Sequence, residues 1–152
     1  MSFFDAISIA ASGLTAERTR MDVTSENLAN ADTTQGANGQ PYQRQEVVLQ
    51  QVGGGFSAAL SGAMGSVPGT STTGTAAGGV QVAGIVNDPT PDQEVYDPGN
   101  PAANAQGYVK MPNVNSVNEM VDMIDESRSY ESDVTAMNTA KTMYEKTLDL
   151  LK

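Results

Sequence analysis

Residues Ser116 to Leu151 read SVNEMVDMIDESRSYESDVTAMNTAKTMYEKTLDLL. Steps of three and four along this stretch pick out Met120, Met123, Ser127, Tyr130, Val134, Met137, Lys141, Tyr144, Leu148 and Leu151. One edge of the stripe advances by sevens through Met123, Tyr130, Met137, Tyr144 and Leu151. That 3.5-residue period belongs to helices wound on helices and not to a strand. Pro112 closes the segment before it, and Ser116 with Glu119 three residues on has the form of a capping box. About 36 residues at 1.5 Å rise make a rod of roughly 54 Å. Propensity alone does not hold so long a helix, so one stripe needs burial against another helix. A core helix of a globular bundle and a helix that serves assembly both satisfy this pattern.

The opposite end of the chain supplies a second helix, from Phe4 to about Asn30. Its stripe runs Phe4, Ile7, Ala11, Leu14, Arg18, Met21, Ser25 and Leu28, four heptads at the same period. Ser2 with Asp5 suits its N-terminal cap. Gly13 lies inside it at a cost of about 1 kcal/mol relative to Ala. Beside Ala10, Ala11 and Ser12, it either leaves a flat patch for the close approach of another helix or is simply tolerated. The polar run Ser25 to Thr33 ends the helix, with Asn able to accept left-handed dihedrals.

Between the helices the pattern changes. Val47, Val48, Leu49 and Val52 mark a strand within Pro41 to Val52. Val80, Val82, Ile85 and Val86 mark another, from Gly79 to Asn87, placed to pair with the first. The stretch from Gly53 to Gly84 holds ten of the fifteen Gly, and its Gly/Ser/Thr-rich run 53–79 reads as a flexible loop. Asp88 to Pro101, with four of the seven Pro, reads as a turn-rich acidic loop. Tyr108, Val109 and Met111 form a short strand ahead of Pro112. The expected fold class is α+β: long N- and C-terminal coiled-coil helices bracketing a small β-rich, loop-rich insert. Residues 1–32 with 113–152 would form one discontinuous helical assembly domain, and 33–112 the insert.

Composition narrows the function. Eight Lys and Arg stand against 18 Asp and Glu, a formal charge of −10, which disfavours nucleic acid and anionic lipid as partners. With no Trp and only three Phe, the chain carries little apolar bulk for a compact core. Cys and His are both absent, which removes thiolate sites and the commonest general base. No phosphate-binding, dinucleotide-binding or nucleophile-elbow motif is present. Asp88, Asp92, Glu94 and Asp97 offer oxygens for Ca²⁺, but Pro89 and Pro91 interrupt them and the EF-hand glycine is missing; a solvated acidic loop reads better. Asp125 and Glu126 are expected to face solvent near Arg128. No catalytic, cofactor or metal residues are therefore assigned. No apolar run reaches 18 residues, and Met1 to Ala6 lacks the basic and apolar regions of a signal peptide.

Several ordered segments resemble the bacterial flagellar rod and hook axial proteins. Ala11-Ser12-Gly13-Leu14, then Met21, then Asn27-Leu28-Ala29-Asn30-Ala31-Asp32 resemble the N-terminal signature of that family. Gly39-Gln40-Pro41-Tyr42, Val95 to Pro101 and Gly107 to Asn115 are similar to its proximal-rod branch, as are Glu119 to Met123 and Ser127 to Tyr130. The run from Gly53 to Gly79 departs from the pattern by its length. The resemblance implies a non-enzymatic structural subunit of the periplasmic rod, the drive shaft of the flagellum. It further implies export by the flagellar type III apparatus without a cleaved signal. Expected partners are the chain itself, other rod proteins and the membrane-ring/rod junction, in a helical hetero-oligomer without cofactors or membrane insertion. The expected assembly interface comprises Ile7, Ala11, Leu14, Met21, Asn27, Leu28 and Asn30 on the first helix. On the second it comprises Met120, Met123, Tyr130, Val134, Met137, Tyr144, Leu148 and Leu151. Another secreted coiled-coil subunit, of secretion-needle or phage-tail type, is the alternative. A hydrolase using paired carboxylates is the alternative of a different class.

Overall fold

The structure, a computed structural model, describes residues 3–36, 38–52 and 78–149, with side chains from Ala6 onward. Most of the Gly/Ser/Thr-rich run, the proposed Ser2 cap and Leu151 lie outside the described residues. Helix α1 spans Phe3–Ala29. Strands β1 (Gln45–Gln51), β2 (Val80–Asn87), β3 (Gln93–Tyr96) and β4 (Tyr108–Met111) follow, then helix α2 (Ser116–Asp149). The α+β class and the two terminal helices are as the periodicity predicts.

The helices pack antiparallel, and their facing residues keep a seven-residue step. Asn27 of α1 bonds Glu119 of α2 at 3.1 Å, and Arg20 lies 3.5 Å from Glu126. One step further, a Cβ on Gly13 would stand 2.7 Å from Asp133 Oδ2. Ala6 and Ala140 line one groove at the last level. The facing lines are thus Ala6, Gly13, Arg20, Asn27 and Glu119, Glu126, Asp133, Ala140. Small and polar residues occupy them.

This line corrects the apolar stripes drawn from sequence. Among the described side chains of α1 the buried apolar residues are Ala16 and Val23, while Ile7, Ala11, Leu14, Met21 and Leu28 beside them are half-buried and Arg18 and Ser25 exposed. On α2 the two buried residues are both glutamates, Glu119 and Glu126. The reason is that α1 is rich in Ala, Ser and Thr, so position on the helix and paired polar groups, rather than apolar bulk, set the facing side. Gly13 does admit a close neighbour, as its small patch suggests; what approaches is the Asp133 carboxylate.

The α2 cap also differs. Asn115, not Ser116, is the N-cap: its Oδ1 accepts from Val117 N at 3.0 Å and Asn118 N at 3.2 Å. Glu119 turns inward instead of returning to the cap, because Arg44 and Asn27 offer it charge-assisted bonds in a buried place. At the end of α1 no left-handed Asn occurs among the described residues. Asn30 closes the turn instead, its backbone and side-chain amides both donating to Glu26 O.

β1 and β2 pair antiparallel from Gln45↔Asn87 to Gln51↔Val80, with a bulge between Val48 and Leu49, the pairing expected from their valines. The ladder lies along α1. Asn27 holds it at Gln45, and Ser12 Oγ accepts from Val80 N at 3.0 Å. Those helix anchors are 15 residues apart, about 22 Å along a helix. The strand run from Gln45 to Gln51 covers about 20 Å, so helix and strand are matched in length. Asp88 to Pro101 is not loop throughout: Gln93–Tyr96 forms β3, antiparallel to β4. Tyr96 and Tyr108 meet edge to face at 5.3 Å, a cross-strand aromatic pair that favours the ladder despite the flanking prolines. Gly107 turns that hairpin at φ +83°, where a Cβ would stand 2.9 Å from the Tyr96 ring.

Candidate assembly surfaces and the clamp beneath them

Among the described residues, two polar side chains, Glu119 and Asn27, are as fully buried as Pro112. Asn27 is 1% exposed and uses both ends of its amide on β1: Oδ1 accepts from Gln45 N at 2.9 Å and Nδ2 donates to Gln45 O at 2.9 Å. Oδ1 also accepts from the Tyr42 hydroxyl at 2.9 Å. Burial, with the negative charges of Glu26 and Glu119 nearby, pushes that phenol up to about 12. The Asn27-Leu28-Ala29-Asn30 motif thus has a local reason: Asn27 grips the sheet, Asn30 ends the helix, and Ala31 packs buried behind them.

Arg44 collects the carboxylates around this grip. Its Nε lies 2.5 Å from Glu119 Oε1 and its Nη1 3.5 Å from Asp88 Oδ2, with Glu46 and Asp122 also in its reach. Burial opposes its charge, but the hydrogen bonds to Glu119 and Glu46 outweigh that and hold its pKa above the ordinary value. Asn113 completes the junction: Oδ1 accepts from Arg44 N at 2.8 Å and Nδ2 donates to Thr90 O at 3.1 Å. Asp88 serves this junction. Thr90 donates to it through both hydroxyl and backbone N–H, which lowers its pKa. Among the described residues no three carboxylate, His or Cys side chains converge as metal ligands.

Glu126 is the second buried acid, 5% exposed, and does not face solvent as its neighbour Asp125 does. Thr24 Oγ1 donates to its Oε1 at 3.0 Å, while Oε2 is buried without a hydrogen-bond partner. Burial pushes its carboxyl above the usual range; the Thr24 bond and the Arg20 charge offset part of that shift. Placement on the inner side of α2 separates the two acids, and sequence adjacency does not reveal it.

Apolar surface gathers on the outside. Val117, Met120, Val121 and Ile124 are all about half exposed or more, and their spacing of 3, 1 and 3 puts them on one side of α2. Past Ala140, every residue from Lys141 to Asp149 is exposed. Of the residues expected at the assembly interface, Met120, Tyr144 and Leu148 are exposed. Ile7, Ala11, Leu14, Met21, Leu28, Asn30, Met123, Tyr130, Val134 and Met137 are half-buried. Asn27 lies wholly inside the subunit. Val117, Val121 and Ile124 escaped the sequence reading, although their own i, i+4, i+7 spacing was available to it.

Two long helices, an internal polar clamp and apolar outer faces define a subunit built to associate. The family described as flagella basal body rod protein matches residues 7–38, and the C-terminal family of flagellar basal body rod FlgEFG proteins matches residues 105–150. The chain is 47% identical to the flagellar basal-body rod protein FlgC of Bacillus subtilis, over 100% of both chains. It is 44% identical to that of Escherichia coli O6:H1 over 99% of this chain and 98% of the relative. Against that of Borreliella burgdorferi the identity is 39%, over 100% of this chain and 99% of the relative. The chain belongs to the FlgC family of flagellar basal-body rod proteins. It is a structural, non-enzymatic subunit of the proximal rod of the flagellar basal body.

Proposed function

We propose that the subunit enters a periplasm-spanning, torque-transmitting shaft head to tail, through contacts made by α1 and α2 with copies of itself and with other rod proteins. The exposed apolar side of α2 at Val117, Met120, Val121 and Ile124 carries this reading. Such a patch on a structural subunit marks a protein–protein contact, and heterologous contacts that do not close generate a helical shaft. In this reading 1–32 and 113–152 act as the assembly domain and 33–112 as an insert that the polar clamp holds in fixed orientation. A sparse apolar core suits a chain threaded unfolded through the flagellar export apparatus and ordered on arrival.

The test is Ile124→Glu, supplied as the sole copy in a flagellated strain. Its side chain is 53% exposed, so unfolding stability should move by no more than about 0.5 kcal/mol. Swimming and basal-body yield should nevertheless fall sharply at equal expression and export. Normal rods with Ile124→Glu would remove α2's outer side from the assembly.

A further inference from the structure

A groove of about 540 Å³ lies between the first half of α1, the 133–140 part of α2 and the β1–β2 ladder. Small residues, among them Ala10, Gly13, Ala136 and Ala140, form its wall. Glu17 and Asp133 are its charged members. Glu17 is paired with Arg20 at 3.3 Å, whereas Asp133 forms no ion pair among the described residues.

The same chain carries a complementary element. The α2 overhang, Lys141–Asp149, holds two of the eight basic residues, Lys141 and Lys146. Lys141 pairs with Glu145 at 3.9 Å; Lys146 forms no ion pair among the described residues. Met143 is 65% exposed and lies three residues before Lys146, so a long apolar side chain and a cation share one side of the overhang. Met143 is ten residues past Asp133, about 15 Å along the same straight helix. Met143 thus stands at the rim of its own groove, one turn beyond Ala140, and falls short of the wall at Ala10 and Gly13.

The geometry points to a second copy as the occupant: the overhang of one subunit seats in the groove of the next, Met143 against the Ala and Gly wall and Lys146 against Asp133. In a chain of charge −10, the segment Lys141–Asp149 balances two Lys against Glu145 and Asp149, and with Glu145 held by Lys141 it presents Lys146 to a carboxylate-bearing groove that repels most of a neighbouring copy. Donor and acceptor are different surfaces, so the contact is heterologous and open-ended. This deepens the rod reading and rests on it.

The absence of Cys makes the test direct. Ala10→Cys/Met143→Cys, as the sole copy in a flagellated strain, should give a ladder of dimers and higher species in oxidised basal bodies. Each single variant should give at most dimers. Within one subunit the two sites are too far apart for a disulfide. Adding Asp133→Lys or Lys146→Asp alone should cut the ladder at least tenfold, and adding both should restore it. Ala136→Cys/Met143→Cys probes the same contact independently. Absence of cross-linked species with both pairs, or a dimer with no higher rungs, overturns the inference while leaving the rod reading in place. Absence of the unaltered chain from purified basal bodies would instead overturn that reading itself.

Discussion

Asn27 holds Gln45 by both of its backbone polar groups, accepting from N–H and donating to C=O at 2.9 Å each. It thus occupies the outward-facing edge of β1 as a neighbouring strand would. The same Nδ2 reaches Glu119 at 3.1 Å, so one buried amide ties together both helices and the sheet. Removing either partner leaves buried polar groups unsatisfied, which costs more than the bonds themselves contribute.

Arg44 is expected to tolerate no cation in its place. Arg44→Lys keeps the charge but loses the fork that serves Glu119 together with Asp88, and should cost about 1–3 kcal/mol. Arg44→Met leaves Glu119, 1% exposed, buried without a cation and should cost about 3–5 kcal/mol. The contacts to the half-exposed Glu46 and Asp122 add little. Chemical denaturation of the three proteins checks the order; equal midpoints would show that Arg44 is dispensable to the clamp.

Glu126 should make stability depend on pH. Its folded-state pKa is raised, so the folded chain binds the proton more tightly than the unfolded chain does. Stability attributable to this group is therefore greatest below its ordinary value of 4.5 and declines as pH rises through the raised folded value. Glu126→Gln should flatten that part of the profile, and Asp125→Asn, exposed next to it, should not. Unfolding midpoints across the acidic to neutral range decide between them.

At Gly13, two effects of opposite sign meet. Gly→Ala in a helix contributes about 1 kcal/mol, but the new Cβ would stand 2.7 Å from Asp133 Oδ2 and force that carboxylate aside. Gly13→Ala alone should therefore change stability by less than about 1 kcal/mol. In an Asp133→Ala background it should gain the full propensity term. A double-mutant cycle measures the coupling; additive effects would mean that Asp133 does not press on this position.

Leu148→Asp should spare the subunit and damage the rod. Leu148 is 46% exposed, so a charge there stays wet in the monomer but is strongly penalised if assembly dries it. Asp149→Ala, one residue on, should be mild. Swimming and basal-body yield at matched export separate the two, and equal defects would indicate general sensitivity of this end of α2.

Much of the fold is legible in local patterning. Heptad spacing placed both terminal helices to within a residue or two, and clusters of Val, Leu and Ile marked β1 and β2 as partners. The ordered segments from Ala11 to Tyr130 pointed to the rod family. These are local or nearest-neighbour properties, written in periodicity. Which side of each helix faces inward depends on contacts between distant segments. Ranking by hydrophobicity favours Met21 and Met120 over Glu119 and Glu126, and Asn27, expected at the assembly interface, lies inside the subunit instead. A buried amide or carboxylate becomes favourable only once its partner arrives, and those partners lie 92 residues away for Asn27 and 102 for Glu126. The Tyr96–Tyr108 pair behind β3 was hidden for the same reason: neither ring signals a strand until the chain folds back on itself. Burial of a polar group is a property of the pair, and the chain states only its members.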